Sequence, residues 1–386
     1  MSKNASAGMD KARLRHFMDA VNDDIAKDLY FGGSFVIARH GEIVLQEATG
    51  HSDPTKSRKV ETDSVFSLFS TTKAMNTVLT LRAIELGELS FATKIADVIP
   101  EFAGHGREKI SVYDLITHTS GLPSIYTPRE GMYIDRLDEM VATICEVVRP
   151  EVEPGVRLDY SPLCSHALLG EAVVRVDAKK RRYRDIIQQE IFDPLKMKDS
   201  SMGRRRDLAP RHLVPYFLGN SPTQHLGHSD LGPNGAFEEE DAEMPWVGVV
   251  STAADMFRFA DMLRQMGQLD GAHILSPTMV ARSRQNQTGE MPNEVYKRMA
   301  EARGWPVIPG YIGLGFSLRG EKIGENLFGS LTSPETFGNY GAGTTIFWVD
   351  PERDITFVGL CTGVMNGAEN IQRWRRLSDI VISAAD

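Results

Sequence analysis

Ser70-Thr-Thr-Lys73 sets a hydroxyl and an amine three residues apart, just after Phe66 and Phe69 and at the start of a strong helical pattern. Positions i and i+3 share one face of a helix, so the two side chains are expected to be neighbours. Ser70 would lie in the first turn, where the helix dipole favours developing negative charge. A lysine desolvated there has a lowered pKa and can take a proton, which makes the pair a nucleophile with its base. Taken alone, the same four residues also fit a capped helix with an exposed lysine. Tyr160-Ser161 follows Glu153-Pro154-Gly155. Pro162 suits the first turn of the next helix, where its missing N–H has no partner to lose. Tyr160 is thus expected on a loop just before a helix, where a phenol near an ammonium can act as general acid or base. The alternative is a core tyrosine with a satisfied hydroxyl. Phe337-Gly-Asn-Tyr-Gly-Ala-Gly343 leads into a strand. Its glycines would let a strand edge lie close against a ligand, and an amide from that edge could join the Ser70 amide in an oxyanion hole. A plain glycine-rich bend is the competing reading.

Positioning these groups falls to elements at both ends of the chain. A helical pattern over Asp10–Leu29 is followed by two strands, 34–39 and 42–46, around a tight His40-Gly41 turn. Helices are expected at 71–86, 111–118, 135–147, 163–175, 183–191, 252–267 and 276–284. Strands are expected at 311–318, 344–349 and 355–361, with Asp350–Asp354 as a turn, and a last helix over 368–384. Segments 200–245 and 286–310 lack periodicity and are expected as long loops. The economical architecture is one sheet built from both termini and covered by the first and last helices, with a helical domain inserted. The boundaries expected are 1–75 plus 245–386 for a mixed α/β domain and 76–244 for the mainly helical one.

At 386 residues the chain can bury a large core without disulfide or metal staples. Asp and Glu (52) outnumber Lys and Arg (43), for a net charge of -9, which argues against a nucleic-acid partner. Cys145, Cys164 and Cys361 are widely spaced and suit a reducing compartment. With neither a leader-like apolar stretch at the start nor a run long enough to span a bilayer, a cytoplasmic protein without a membrane partner is expected.

In chain order the three motifs resemble the serine β-lactamase and penicillin-recognising enzyme family, in the class C-like branch that includes DD-peptidases, class C β-lactamases and family VIII carboxylesterases. Ser70-x-x-Lys73 matches the first motif, Tyr160-Ser161 the second, and Asn339-Tyr340-Gly341 the position of the third. Asp114–Pro123 and Val249–Phe259 are similar to segments typical of this branch. The resemblance implies an antiparallel sheet flanked by helices plus an all-helical domain, with the active site in the cleft between them. It implies that Ser70 attacks an acyl carbon while Lys73 and Tyr160 share the proton transfers. The amides of Ser70 and Ala342 would hold the oxyanion, and Asn339, Tyr340 and Gly341 would line the substrate. No cofactor and no metal are implied.

Two positions depart from the lactamase pattern. Pro162 stands where an asparagine is usual, and neutral Asn339 stands where a cation meets a substrate carboxylate. Both weaken β-lactamase or DD-peptidase activity as a reading. The pattern is most similar to the carboxylesterases, so hydrolysis of a small-molecule ester is expected, with an amidase, peptidase or acyltransferase on the same scaffold as the alternative. A non-catalytic sensor or scaffold is a reading of another class, and so is a metal hydrolase using His225-x-x-His228-x-Asp230. His118 and His166 are expected to be structural, with His118 tying a loop to a helix. Trp246 and Trp305 are expected either to line the cleft or to pack in the core.

Overall fold

The computed structural model describes residues 5–219, 224–229 and 231–385. Its principal helices are α1 (Lys11–Ala26), α2 (Thr72–Glu85), α3 (Leu137–Val147), α4 (Cys164–Val176), α5 (Ala253–Arg264), α6 (Glu294–Arg303) and α7 (Gly367–Ser383). The strands discussed below are β1 (Gly32–Arg39), β2 (Glu42–Gly50), β3 (Val65–Ser67), β4 (Ser201–Met202), β5 (His212–Leu213), β6 (Val249–Ser251), β7 (Ser317–Leu318), β8 (Phe337–Gly341), β9 (Thr345–Asp350) and β10 (Ile355–Thr362).

The sharp turn expected between the first two strands has its cause in two residues. His40 and Gly41 both take positive φ, +55° and +77°, the combination that lets a two-residue loop follow the natural twist of a hairpin. The hairpin then joins the C-terminal strands. Strand β10 pairs antiparallel with β1, from Ile355 opposite Arg39 to Thr362 opposite Gly32. This closes a six-stranded antiparallel sheet in the order β7-β8-β9-β10-β1-β2.

Alternation along the strands supplies two apolar faces. Phe35 and Ile37 enter one core with Phe357 and Trp348, while Val36 enters the other with Phe347 and Val358. Helices α1 and α7 cover the first face, with the Phe17 ring 5.3 Å from Phe35 and Trp374 5.9 Å from Phe357. Helix α5 covers the second, with Phe259 5.7 Å from Phe347. Cover on both faces explains why every residue of β9 and β10 is buried. Helix α2 runs through the second core, buried from Thr72 to Leu81, and packs along α4.

Three segments differ from the sequence reading. The strand expected over 311–318 shrinks to Ser317–Leu318, because Tyr311 (φ +42°) and Gly315 (φ +80°) turn the chain out of extended conformation. The loop expected over 286–310 contains α6. Ala300 alone of that helix is buried and its apolar stripe is short (Val295, Tyr296, Met299, Ala300), so its clearest signals are its caps: Asn293 accepts from the Val295 amide, and Gly304 takes φ +67° past the last turn. The segment 200–245 carries two short strands that complete a second sheet, in the order β4-β6-β3-β5. His212 pins that sheet, its Nε2 2.9 Å from Ser67 Oγ.

Trp374 fills the space that a side chain at Gly359 would need, with its ring 2.5 Å from where a Cβ would stand. Trp374→Ala should therefore cost about 3–5 kcal/mol, read as a lowered denaturant midpoint. A loss below about 1 kcal/mol would mean that α7 does not seal this face.

Candidate active site

Ser70 follows β3 through a single 3-10 turn, Phe69–Thr71, which runs directly into α2. The residue before it, Phe69, has φ +51°, a left-handed conformation unusual for a bulky side chain and sustained only where the surroundings enforce it. Those surroundings are the β8–β9 hairpin. Gly341 and Gly343 press on Phe69 so closely that a Cβ at either would meet Phe69 atoms at 2.9 Å and 2.1 Å. Thr345 Oγ1 donates to the Leu68 carbonyl at 2.7 Å and lies 3.0 Å from Thr71 Oγ1. The glycine motif thus sets the hairpin against the segment that carries Ser70.

Lys73 Nζ lies 2.9 Å from Ser70 Oγ and donates to the Trp246 carbonyl at 2.9 Å. Lys73 is 1% exposed, and burial pushes its pKa well below the ordinary lysine value with no opposing carboxylate. The surroundings therefore favour the unprotonated amine beside the serine hydroxyl. Tyr160 stands alongside, its ring centroid 5.3 Å from Lys73 Nζ. Burial raises its phenol pKa, and an interaction with the Ser70 hydroxyl opposes only part of that rise, so the phenol keeps its proton at neutral pH.

The backbone of the Tyr160 segment is clamped from both sides. On one side His118, at φ +58°, accepts from the Asp159 amide through its carbonyl (3.0 Å) and from the Ser161 amide through Nδ1 (3.2 Å). The loop-tying role expected of His118 takes this form, and accepting at Nδ1 places the ring proton on Nε2. On the other side Asn293 Oδ1 accepts from the Tyr160 amide at 3.4 Å. Beneath lies a buried polar chain. Tyr183 donates to Asn76 Oδ1 (3.1 Å), and Asn76 Nδ2 donates to the His166 carbonyl (2.9 Å) and lies 3.1 Å from His166 Nδ1. Burial above all lowers His118 to about 3 and His166 well below its usual value. Both rings are neutral spacers.

Ser70, Tyr160, Tyr340, Ala342 and Trp246 all line one cavity of about 330 Å³, and Lys73 reaches it only through its contact with Ser70 Oγ. No Asp, Glu, Lys or Arg lines it among the described residues. The structure separates the third motif's residues. Tyr340 faces the cavity, Gly341 packs against Leu68 and Phe69, and Asn339 is buried with Nδ2 donating to the Gly315 carbonyl at 3.3 Å. Trp305 borders a separate small cavity. The histidines of the alternative metal motif diverge. His225 packs against Phe237 in the cavity wall, whereas His228 pairs with Asp135 (2.6 Å) and Glu139 (3.4 Å); Asp230 lies outside the described residues. Among the described residues no cluster of three metal-ligand side chains converges. Sequence reasoning missed the Trp246 carbonyl and Asn293. A backbone acceptor leaves no trace in residue type, and Asn293 announces itself only as a helix cap.

A helix-flanked antiparallel sheet with a serine at the head of a buried helix, and an amine and a phenol beside it, defines the class of β-lactamase-fold serine hydrolases. The family model described as Beta-lactamase matches residues 14–381, and the chain belongs to that family. "Penicillin-binding protein 4" of Amycolatopsis lactamdurans is 29% identical over 266 residues, 65% of this chain and 66% of that protein. "Esterase/beta-lactamase LipL" of Mycobacterium tuberculosis is 24% identical over 351 residues, 84% of this chain and 76% of its own length. A solved structure of a family VIII carboxylesterase superposes with a TM-score of 0.76 at 22% identity, covering 98% of this chain and 99% of that one.

The buried amine has a signature in stability. Its folded pKa lies below the unfolded value, so between the two the unfolded chain binds more protons and stability rises with pH. The stability of the wild type relative to Lys73→Met should therefore grow from pH 7 to pH 10. Parallel stability curves would show that Lys73 titrates in the fold as it does in the open chain.

Proposed function

We propose that the protein hydrolyses small, neutral carboxylic esters through an acyl-enzyme on Ser70. The observation that carries this reading is the buried Lys73 amine 2.9 Å from Ser70 Oγ, its pKa pushed down by burial with no carboxylate to oppose the shift. As Oγ attacks the acyl carbon, its proton passes to Lys73, and the ammonium forms beside the face of the Tyr160 ring, where a cation is favoured. The backbone amides of Ser70 and Ala342 hold the oxyanion. Tyr160 gives its proton to the departing alcohol and regains one from Lys73. Water then attacks the acyl-enzyme by the same route in reverse, releasing the acid and restoring the Ser70 hydroxyl. These roles divide the work left open between Lys73 and Tyr160: a neutral amine takes a proton, and a phenol of raised pKa supplies one.

The substrate reading draws on the cavity wall, which offers no cation to the carboxylate of a β-lactam or a peptide C-terminus, and on the esterase names among the relatives. Tyr340 is the third-motif side chain placed to touch substrate. Asn339 would act behind it and Gly341 through its backbone. We read residues 1–75 with 245–386, and 76–244, as two lobes meeting at this cavity; its walls draw on both, with Ser70, Trp246 and Tyr340 from one and Tyr126, Tyr160 and Leu218 from the other. No helix of the described residues is long and apolar enough to cross a membrane. The three buried, unbridged cysteines support a cytoplasmic location.

Purified protein should cleave p-nitrophenyl butyrate, and Ser70→Ala should lower kcat/KM by at least about 10³-fold. Tyr160→Phe should cost about 10²–10⁴-fold. Equal turnover by wild type and Ser70→Ala would end the reading. The pH profile should lose activity toward acid, as Lys73 becomes protonated, and stay level to pH 10, because the raised Tyr160 pKa puts its ionisation above that range. A bell-shaped profile with an alkaline limb near pH 8 would contradict these proton roles.

A further inference from the structure

Tyr296, on α6, stands between two cavities. One side of it lines the cavity that holds Ser70 and Tyr160. The other lines a second cavity of about 80 Å³, walled by Ile308, Tyr311, Leu318, Phe328 and Ile371. A smaller void of about 30 Å³ lies between Met299, Ile308 and Ile371, and Tyr296 is the residue common to all three. The charged groups bordering the second cavity are engaged elsewhere. Arg319 donates to the carbonyls of Gly320, Glu321 and Ser330, and Glu325 pairs with Arg375 at 2.8 Å. What remains is a mostly apolar compartment, with Asn293, Ser317 and Asn326 in its wall and the Arg319 Nε buried there without a partner. The Tyr296 hydroxyl has no hydrogen-bond partner among the described residues, so the ring is held by packing, including contact with Tyr340 at 6.3 Å between centroids.

The compartment lies on a definite side of the site. Asn293 lines it, caps α6 and holds the Tyr160 amide. Tyr160, the proton donor proposed for the leaving alcohol, shares its cavity with Tyr296, and Asn293 joins the Tyr160 backbone to the compartment wall. We propose that Tyr296 partitions the active site from an apolar compartment on the leaving-group side, and thereby limits the alkyl chain length of the alcohol half of a neutral ester. This rests on the ester-hydrolase reading above. It adds a subsite for an alkyl chain and a specificity-determining residue.

The test is kcat/KM on two ester series followed by pH-stat: n-alkyl acetates from ethyl to octyl, and vinyl esters from acetate to decanoate. Each methylene newly buried is worth about fourfold, so Tyr296→Ala should raise the octyl-to-ethyl ratio at least about tenfold and leave the vinyl series nearly parallel to wild type. Tyr296→Phe should keep the wild-type ratio, since only the ring is needed. Adding Ile308→Trp to Tyr296→Ala refills the compartment and should remove the gain. An unchanged ratio in a Tyr296→Ala protein with native circular dichroism overturns the proposal, and so does a gain confined to the vinyl series. If the wild type shows no Ser70-dependent turnover of any ester, the hydrolase reading has failed, and 1-octanol binding by calorimetry then reads the compartment alone. Tighter binding by Ser70→Ala/Tyr296→Ala than by Ser70→Ala supports it, and equal binding overturns it.

Discussion

Lys73 buries an amine whose hydrogen-bond partners are both neutral oxygens, the Ser70 hydroxyl and the Trp246 carbonyl. An ammonium in that position would face a desolvation penalty of several kcal/mol with no counter-ion to offset it. Burial therefore favours the unprotonated amine next to the serine hydroxyl. That condition holds only while water and carboxylates are kept away, which is why α2 is buried nearly all round between α4 and the sheet. The layered architecture is the means by which one lysine is desolvated beside a serine.

The neighbouring groups follow the same logic of exclusion. His118 and His166 approach the amine, and both are held uncharged by burial, so neither adds a competing proton site. Tyr160 places a polarisable ring beside the amine, which favours the cation when it forms without supplying a permanent negative charge. Phe69 accepts a strained backbone so that Ser70 can head the helix, and the glycines of the β8–β9 hairpin are what allow the hairpin to enforce it. A side chain at Gly341 or Gly343 would collide with the segment it is meant to support.

Much of the fold is legible in the residues. The β1–β2 hairpin is written in alternation and a His-Gly turn, and α4 and α5 in apolar periodicity. The antiparallel sheet built from both termini follows from strands at the two ends with helices between. Elements without a pattern of their own are illegible. Helix α6 buries only one residue fully, and β4 and β5 are two residues each, too short for a period. Their conformations come from neighbours far along the chain. The expected strand over 311–318 fails for the opposite reason: an apolar run reads as extended, yet Tyr311 and Gly315 bend it.

By itself the sequence determined which groups could meet within one helical turn. Ser70 and Lys73 are neighbours through α-helical geometry alone, because three residues bring a side chain nearly back to the same face. It also determined where the chain could approach itself closely, since only glycine leaves room at 341 and 343. The tertiary structure decided the rest. Tyr160 reaches the pair across a separation of about ninety residues through clamps on its backbone, His118 on one side and Asn293 on the other. The state of the amine likewise depends on burial by residues remote in sequence, among them the Trp246 carbonyl. Local spacing is a covalent property of the chain, whereas proximity across the fold and the dielectric around a charge exist only once the layers have packed.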